Sequence, residues 1–129
     1  MRFLLDTCAL LWLVGDPSRL SPNTRADLAR HRDSIFVSAF TALEIAIKHE
    51  KRRLTLPSAP AVWFPTALTA FGLQEVPVTS DIALRAPLVT LPHGDPADRV
   101  IVATALLRSM TLVSSDTNLL ACSDITVVC

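Results

Sequence analysis

After Met1 and Arg2 the chain reads Phe3-Leu4-Leu5-Asp6-Thr7-Cys8-Ala9-Leu10-Leu11-Trp12-Leu13-Val14. Residues 2–5 predict a short buried strand, and Asp6 breaks the apolar run. Residues 7–14 then predict a helix that stops near Gly15-Asp16-Pro17. A strand that passes through an acid directly into a helix is the first half of a parallel β-α unit.

The alternation recurs downstream. Ser21-Pro22 has the form of an N-cap followed by proline at the first helical position, which predicts a helix to about Arg32. Ile35-Phe36-Val37 reads as a second strand, and Ser38 caps a helix from about Ala39 to Glu50. Residues 54–60, with Pro57 and Pro60, read as a loop. A helix from about Ala61 to Phe71 ends at Gly72, and Pro65 should kink it or delay its start. Gln74-Glu75-Val76-Pro77 is a third strand, placed near an edge by its proline. Thr79 caps a helix to about Ala86. Residues 87–96 are loop with a helical turn at their start. A helix over 96–108, a strand over 111–114, one helical turn over 117–121 and a last strand over 125–128 follow. This order predicts a single α/β domain over residues 1–129 with a central parallel sheet of four to five short strands.

Composition narrows the function classes. The chain has 129 residues, half of them hydrophobic, with few aromatics and no Tyr. Its core must therefore be built from Leu, Val, Ala and Ile. Formal net charge is zero, which removes the argument for nucleic-acid binding from a strongly basic balance but leaves room for a basic patch. Cys8, Cys122 and Cys129 form an odd set without a Cys-x-x-Cys pair, neither a disulfide framework nor a zinc site. Reduced thiols in a cytoplasmic protein are expected. Asp6 interrupts the first apolar run too early for a signal-peptide core, and no run reaches the roughly 18 apolar residues of a membrane span. With only three Gly there is no phosphate-cradling loop. Ser38, Ser114 and Ser115 lack a His-Asp partnership or a Gly-x-Ser-x-Gly setting, so serine hydrolase chemistry is unsupported.

Four acids stand out: Asp6, Glu44, Asp98 and Asp116. Asp6 and Asp116 follow predicted strands, and Asp98 opens a helix. On an open parallel sheet, ligands bind outside the carboxyl ends of the strands. Convergent carboxylates make a hard-oxygen cage for Mg²⁺ or Mn²⁺, suited to phosphodiester hydrolysis. The bland alternative is helix capping, worth about 1 kcal/mol for each Asp. Asp95-Pro96-Ala97-Asp98 fits it, with Asp95 as N-cap and Asp98 in the first turn. Glu44 resists that reading. Its neighbours Phe40, Leu43, Ile45, Ala46 and Ile47 predict a helix that is largely buried, where a lone carboxylate is costly unless paired or bound to metal. Lys48, four residues on, offers an ion pair.

Lys48-His49-Glu50-Lys51-Arg52-Arg53 is the one dense basic run. It reads as a solvated helix end or as an RNA backbone contact through Lys51, Arg52 and Arg53. Trp12 and Trp63 read as core or interface anchors.

At these residues the chain resembles the PIN-domain family, and within it the VapC-type toxins of toxin–antitoxin pairs. The resemblance rests on Phe3-Leu4-Leu5-Asp6-Thr7, on Val37-Ser38-Ala39 with Leu43-Glu44-Ile45-Ala46-Ile47-Lys48, on Leu91-Pro92-His93-Gly94-Asp95-Pro96-Ala97-Asp98-Arg99, and on Leu112-Val113-Ser114-Ser115-Asp116. It implies a three-layer α/β/α fold and a Mg²⁺- or Mn²⁺-dependent endoribonuclease. It also implies a homodimer and a cognate antitoxin that inhibits it. The family's acidic positions fall on Asp6, Glu44, Asp98 and Asp116. Asp95 resembles an accessory acid, and Ser114 a hydroxyl near the metal. Thr7 and Lys48 lie inside the matching motifs, and Arg99 joins the candidate RNA contacts. Cys8, Ala97 and Arg52 depart from the family's usual His or Asn, Phe and Gly, and none removes a carboxylate.

Rival classes fare worse. A haloacid-dehalogenase phosphatase needs an Asp where Cys8 stands. A response-regulator receiver needs a Lys after its last major strand, and the only lysines are Lys48 and Lys51. A catalytically inactive PIN-like module that binds RNA or protein is the remaining alternative.

Overall fold

The computed structural model describes residues 1–91, 95–120 and 122–129. Pro92, His93 and Gly94 of the third motif, and Ala121 at the end of the expected last helical turn, lie outside them. Five parallel strands form one sheet: β1 (Phe3–Leu5), β2 (Ile35–Ser38), β3 (Gln74–Val76), β4 (Thr111–Val113) and β5 (Val127–Val128). Their order is β3-β2-β1-β4-β5. The chain moves outward from β1 to β3, then returns to the other side of β1 to add β4 and β5. This reversal puts a topological switch point between β1 and β4. Leu5 pairs with both Val37 and Val113, so the residues that follow these strands leave the sheet at one level.

Seven helices are present among the described residues: α1 (Thr7–Gly15), α2 (Pro22–Arg30), α3 (Ala39–Glu50), α4 (Pro60–Phe71), α5 (Ser80–Arg85), α6 (Pro96–Leu107) and α7 (Thr117–Leu120). They cover both faces of the sheet. Alternation along the strands sends Phe3, Leu5, Ile35, Val37 and Val113 to one core with Leu10, Leu28, Ile45, Trp63 and Leu68. Leu4 and Leu112 go to the other, with Ile82, Ile101, Val102 and Leu119. Each central strand is buried on both faces, which is why its sequence is apolar without a polar alternate. Among the described residues no helix is long and apolar enough to cross a membrane.

The differences from sequence expectation have local causes. α2 stops at Arg30, and a 3-10 turn over Arg32–Ser34 carries the chain into β2. α4 starts one residue early, with Pro60 as its first residue, and runs through Pro65. The carbonyl of Ala61 loses a partner there, but both residues face solvent, where water replaces the bond. Thr79 occupies the cap position of α5 without capping it. Its hydroxyl donates to Asp81 and accepts from Arg108 Nη2. β5 covers only the last two residues of the expected strand 125–128.

Three helices end in the same device. After α4, Gly72 takes φ +63°, with Leu73 N–H donating to Leu68 and Gly72 N–H to Thr69. This is a Schellman motif, whose left-handed position suits glycine. After α3 that position is Arg52 (φ +58°), and after α6 it is Ser109 (φ +54°), with matching bonds from Arg53 N–H to Lys48 and from Met110 N–H to Ala105.

Candidate metal centre

The carboxyl edge of the sheet at the switch point gathers all four acids. Asp6 leaves β1 and caps α1: one carboxylate oxygen accepts from Ala9 N–H at 2.8 Å. Its own N–H donates to the Val113 carbonyl of β4 at 3.1 Å, which fixes Asp6 across the switch point. Asp116 follows β4 and accepts from Asn118 N–H at 2.9 Å. Its backbone N–H donates to the Ser114 hydroxyl at 3.1 Å. Ser114, 1% exposed, lies beneath Asp6 and Asp116 as a buttress. Asp95 caps α6 through Ala97 N–H at 2.9 Å, and Asp98 sits in the first turn of that helix. The capping reading is correct for Asp6, Asp95 and Asp116, and it does not exclude a functional one, because a cap engages one oxygen and leaves the other. The positive ends of α1 and α6 also offset some of the gathered negative charge.

Glu44 arrives from α3, and two expectations about it need correction. Its helix is not largely buried. Leu43 is 50% and Ile47 42% exposed, and within α3 only Thr41 and Ile45 are buried. The continuous apolar sequence fills the inner face and also leaves an apolar outer one. Nor is Glu44 ion-paired to Lys48: no carboxylate oxygen among the described residues lies within 4.0 Å of that ammonium group. The partner is Thr7, whose hydroxyl donates to Glu44 Oε1 at 2.8 Å. Thr7 is 5% exposed, so this bond ties the start of α1 to α3 in a dry setting.

The four acids line a cleft of about 320 Å³ together with Thr7, Cys8, Lys48, Asp95, Ile101 and Ser115. Cys8, Ile101 and Ser115 were not expected as lining residues. Ser115 is exposed where Ser114 is buried, an alternation visible in sequence once the strand is placed. Lys51, Arg52 and Arg53 are exposed on the turn that ends α3, outside this lining. Arg99 turns its guanidinium toward the Val89 carbonyl.

Charge crowding leaves a mark on the acids. Burial pushes the Asp6 carboxyl up, the Ser114 hydroxyl and Ala9 N–H pull it back, and Asp116 adds repulsion. Burial raises Glu44 too, opposed by the Thr7 hydroxyl and by Lys48. Asp98 is pushed up to about 6, by burial first and then by Asp95, Asp116, Glu44 and Asp6. Asp98 accepts no hydrogen bond from a described residue. The Cys8 thiol is raised by burial and by Asp6.

The donor set fits a hard divalent cation. Five carboxylates face one cleft, and among the described residues Lys48 is the one cation lining it and no imidazole joins them. Carboxylate oxygen suits Mg²⁺ or Mn²⁺. The side chains do not form a closed cage as placed: no group of three His, Cys, Asp or Glu among the described residues stands ready to hold an ion.

Comparison with known proteins agrees with this geometry. The PIN-domain family profile matches residues 3–123. Ribonuclease VapC22 of Mycobacterium tuberculosis (strain ATCC 25618 / H37Rv) is 34% identical over 119 residues, covering 90% of this chain and 88% of its own. Among solved structures, DNA-bound VapBC from Salmonella typhimurium superposes with TM-score 0.71 at 18% identity, over 98% of this chain and 96% of that one. FitAcB from Neisseria gonorrhoeae gives TM-score 0.64 at 23% identity, over 98% and 96%. The chain belongs to the PIN-domain family and to the VapC group within it.

Proposed function

We propose that the protein is a divalent-metal-dependent endoribonuclease acting as the toxin of a toxin–antitoxin pair, with Mg²⁺ or Mn²⁺ as its ion. The observation that carries this reading is the convergence of Asp6, Glu44, Asp98 and Asp116 from four separate elements on one anionic cleft. The name of the VapC22 relative, a ribonuclease, supports RNA as the substrate. The toxin–antitoxin and VapBC complexes among its structural neighbours support an antitoxin partner. A homodimer in the cytoplasm completes the reading. Leu84 and Leu88, each 74% exposed, are apolar surface of the sort such an interface uses.

A bound divalent ion supplies Lewis acidity toward a phosphate oxygen and toward water. The chain supplies placement. Asp6 and Asp116, fixed across the switch point and braced by Ser114, hold the ion. Glu44, oriented by Thr7, completes the acid set from α3. Asp98 carries a proton more readily than an ordinary carboxylate and releases it when positive charge enters the cleft. The cleft binds the phosphodiester so that water reaches phosphorus and an ester oxygen departs with a proton.

The test uses four variants, Asp6→Asn, Glu44→Gln, Asp98→Asn and Asp116→Asn, each checked for folding by circular dichroism. RNA cleavage and Mn²⁺ binding by calorimetry are measured for each. Loss of cleavage in all four folded variants, with weakened ion binding, supports the reading. Retention of cleavage in the folded Asp6→Asn or Asp116→Asn protein overturns the site. An inactive wild-type protein that also binds no ion favours a non-catalytic binding module.

A further inference from the structure

We propose that Lys48 grips the scissile phosphate of the RNA, an assignment that rests on the nuclease reading above. Lys48 sits one helical turn beyond Glu44 on α3, so both project from the same face. It lines the carboxylate cleft and is half-buried there. Its charge reaches Asp6, Glu44 and Cys8, yet no carboxylate of a described residue lies within 4.0 Å. The task of holding Glu44 belongs to Thr7. Among the described residues, Lys48 is thus a cation kept in the site without a carboxylate partner.

The cleft has a reason to keep one. Five carboxylates repel a polyanion, and a single divalent ion leaves them in excess. A lysine ammonium is a compact point charge with three donors on a flexible stem, suited to a tetrahedral phosphate whose geometry changes during reaction. It transfers no atom. It donates hydrogen bonds to non-bridging oxygens while water adds to phosphorus, one phosphorus–oxygen ester bond breaks and the leaving oxygen takes a proton. The turn with Lys51, Arg52 and Arg53 folds back on Lys48, Arg53 N–H donating to the Lys48 carbonyl at 2.8 Å. These side chains are exposed, and a strand held at Lys48 that crosses this turn would meet them.

The experiment compares wild type, Lys48→Met and Lys48→Arg on a total cellular RNA pool with Mn²⁺, cleavage being read by fragment sequencing. Calorimetry follows Mn²⁺ binding, and RNA affinity against salt is measured in the cleavage-dead Asp6→Asn background with and without Lys48→Met. We expect Lys48→Met to lose about 10- to 100-fold in cleavage rate, with Mn²⁺ binding equal to wild type or tighter. Lys48→Arg should recover part of the loss. The salt slope of RNA binding should become shallower by about 0.7, one single-strand phosphate contact. Wild-type cleavage by folded Lys48→Met overturns the proposal. So does loss of cleavage together with Mn²⁺ binding, which marks a merely structural role. If the wild-type protein itself does not cleave, the nuclease reading falls first, an outcome distinct from either.

Discussion

Asp98→Asn should stabilise the ion-free protein and remove much of its response to divalent metal. The folded-state pKa of Asp98 is about 6, against an ordinary value of 3.8. Between these values the folded protein binds the proton more tightly than the unfolded chain, so stability falls as pH rises through that window and stays lower above it. About two pKa units correspond to about 3 kcal/mol. Asp98 is only half-buried, and solvent screening reduces this to about 1–2 kcal/mol. Removing the carboxylate also forfeits its favourable place in the first turn of α6, about 0.5 kcal/mol. The balance is a gain near 1 kcal/mol at neutral pH, about 3–5 °C in Tm for a chain of this length. The assay is thermal unfolding of both proteins in EDTA at about pH 8 and about pH 4, then with Mg²⁺ or Mn²⁺ at the higher pH. The gain should fade at the lower pH, where Asp98 is protonated. Added ion should raise the wild-type Tm more than that of the variant. A lower Tm for Asp98→Asn in EDTA at the higher pH, or equal ion-induced shifts, refutes the reasoning.

Other expectations follow from single contacts. Thr7→Val removes the hydroxyl that donates to Glu44 and should weaken Mn²⁺ binding by about 10-fold or more, read by calorimetry on protein whose circular dichroism is unchanged. Arg52→Gly and Ser109→Gly should each stabilise by up to about 1 kcal/mol in urea unfolding, because a left-handed residue is strained in any side chain but glycine; a loss in both would show that the strain is absent. Thr41, fully buried in α3, has a hydroxyl without a partner among the described residues, so Thr41→Val should be neutral or stabilising by about 1 kcal/mol, and a marked loss of Tm would reveal a hidden partner.

The elements and their parallel order were legible because each central strand is a short unbroken apolar run and α1, α2, α3 and α6 each open on a residue whose side chain caps the helix. Asp6, Asp95 and Asp116 could be placed for the same reason: strand ends and caps are local signals. Glu44 was legible as an oddity but not in its partner. Thr7 lies 37 residues away in sequence, and only tertiary packing joins them. The nearest cation in sequence, Lys48, was the natural guess and the wrong pairing. The exposure of Leu43 and Ile47 was hidden because a helix apolar all round looks the same in sequence whether neighbours cover it or not. The short β5 and the non-capping Thr79 depend on competing contacts, such as Arg108, made by distant segments.

The most direct test of the central claim is cleavage of an RNA pool by protein purified free of any bound partner, with Mg²⁺, with Mn²⁺ and with EDTA, beside Asp6→Asn prepared identically. The carboxylate cleft as active site requires cut RNA from the wild type with either ion, none in EDTA, and none from Asp6→Asn under any condition. Cleavage that survives EDTA, or equal cleavage by Asp6→Asn, contradicts it.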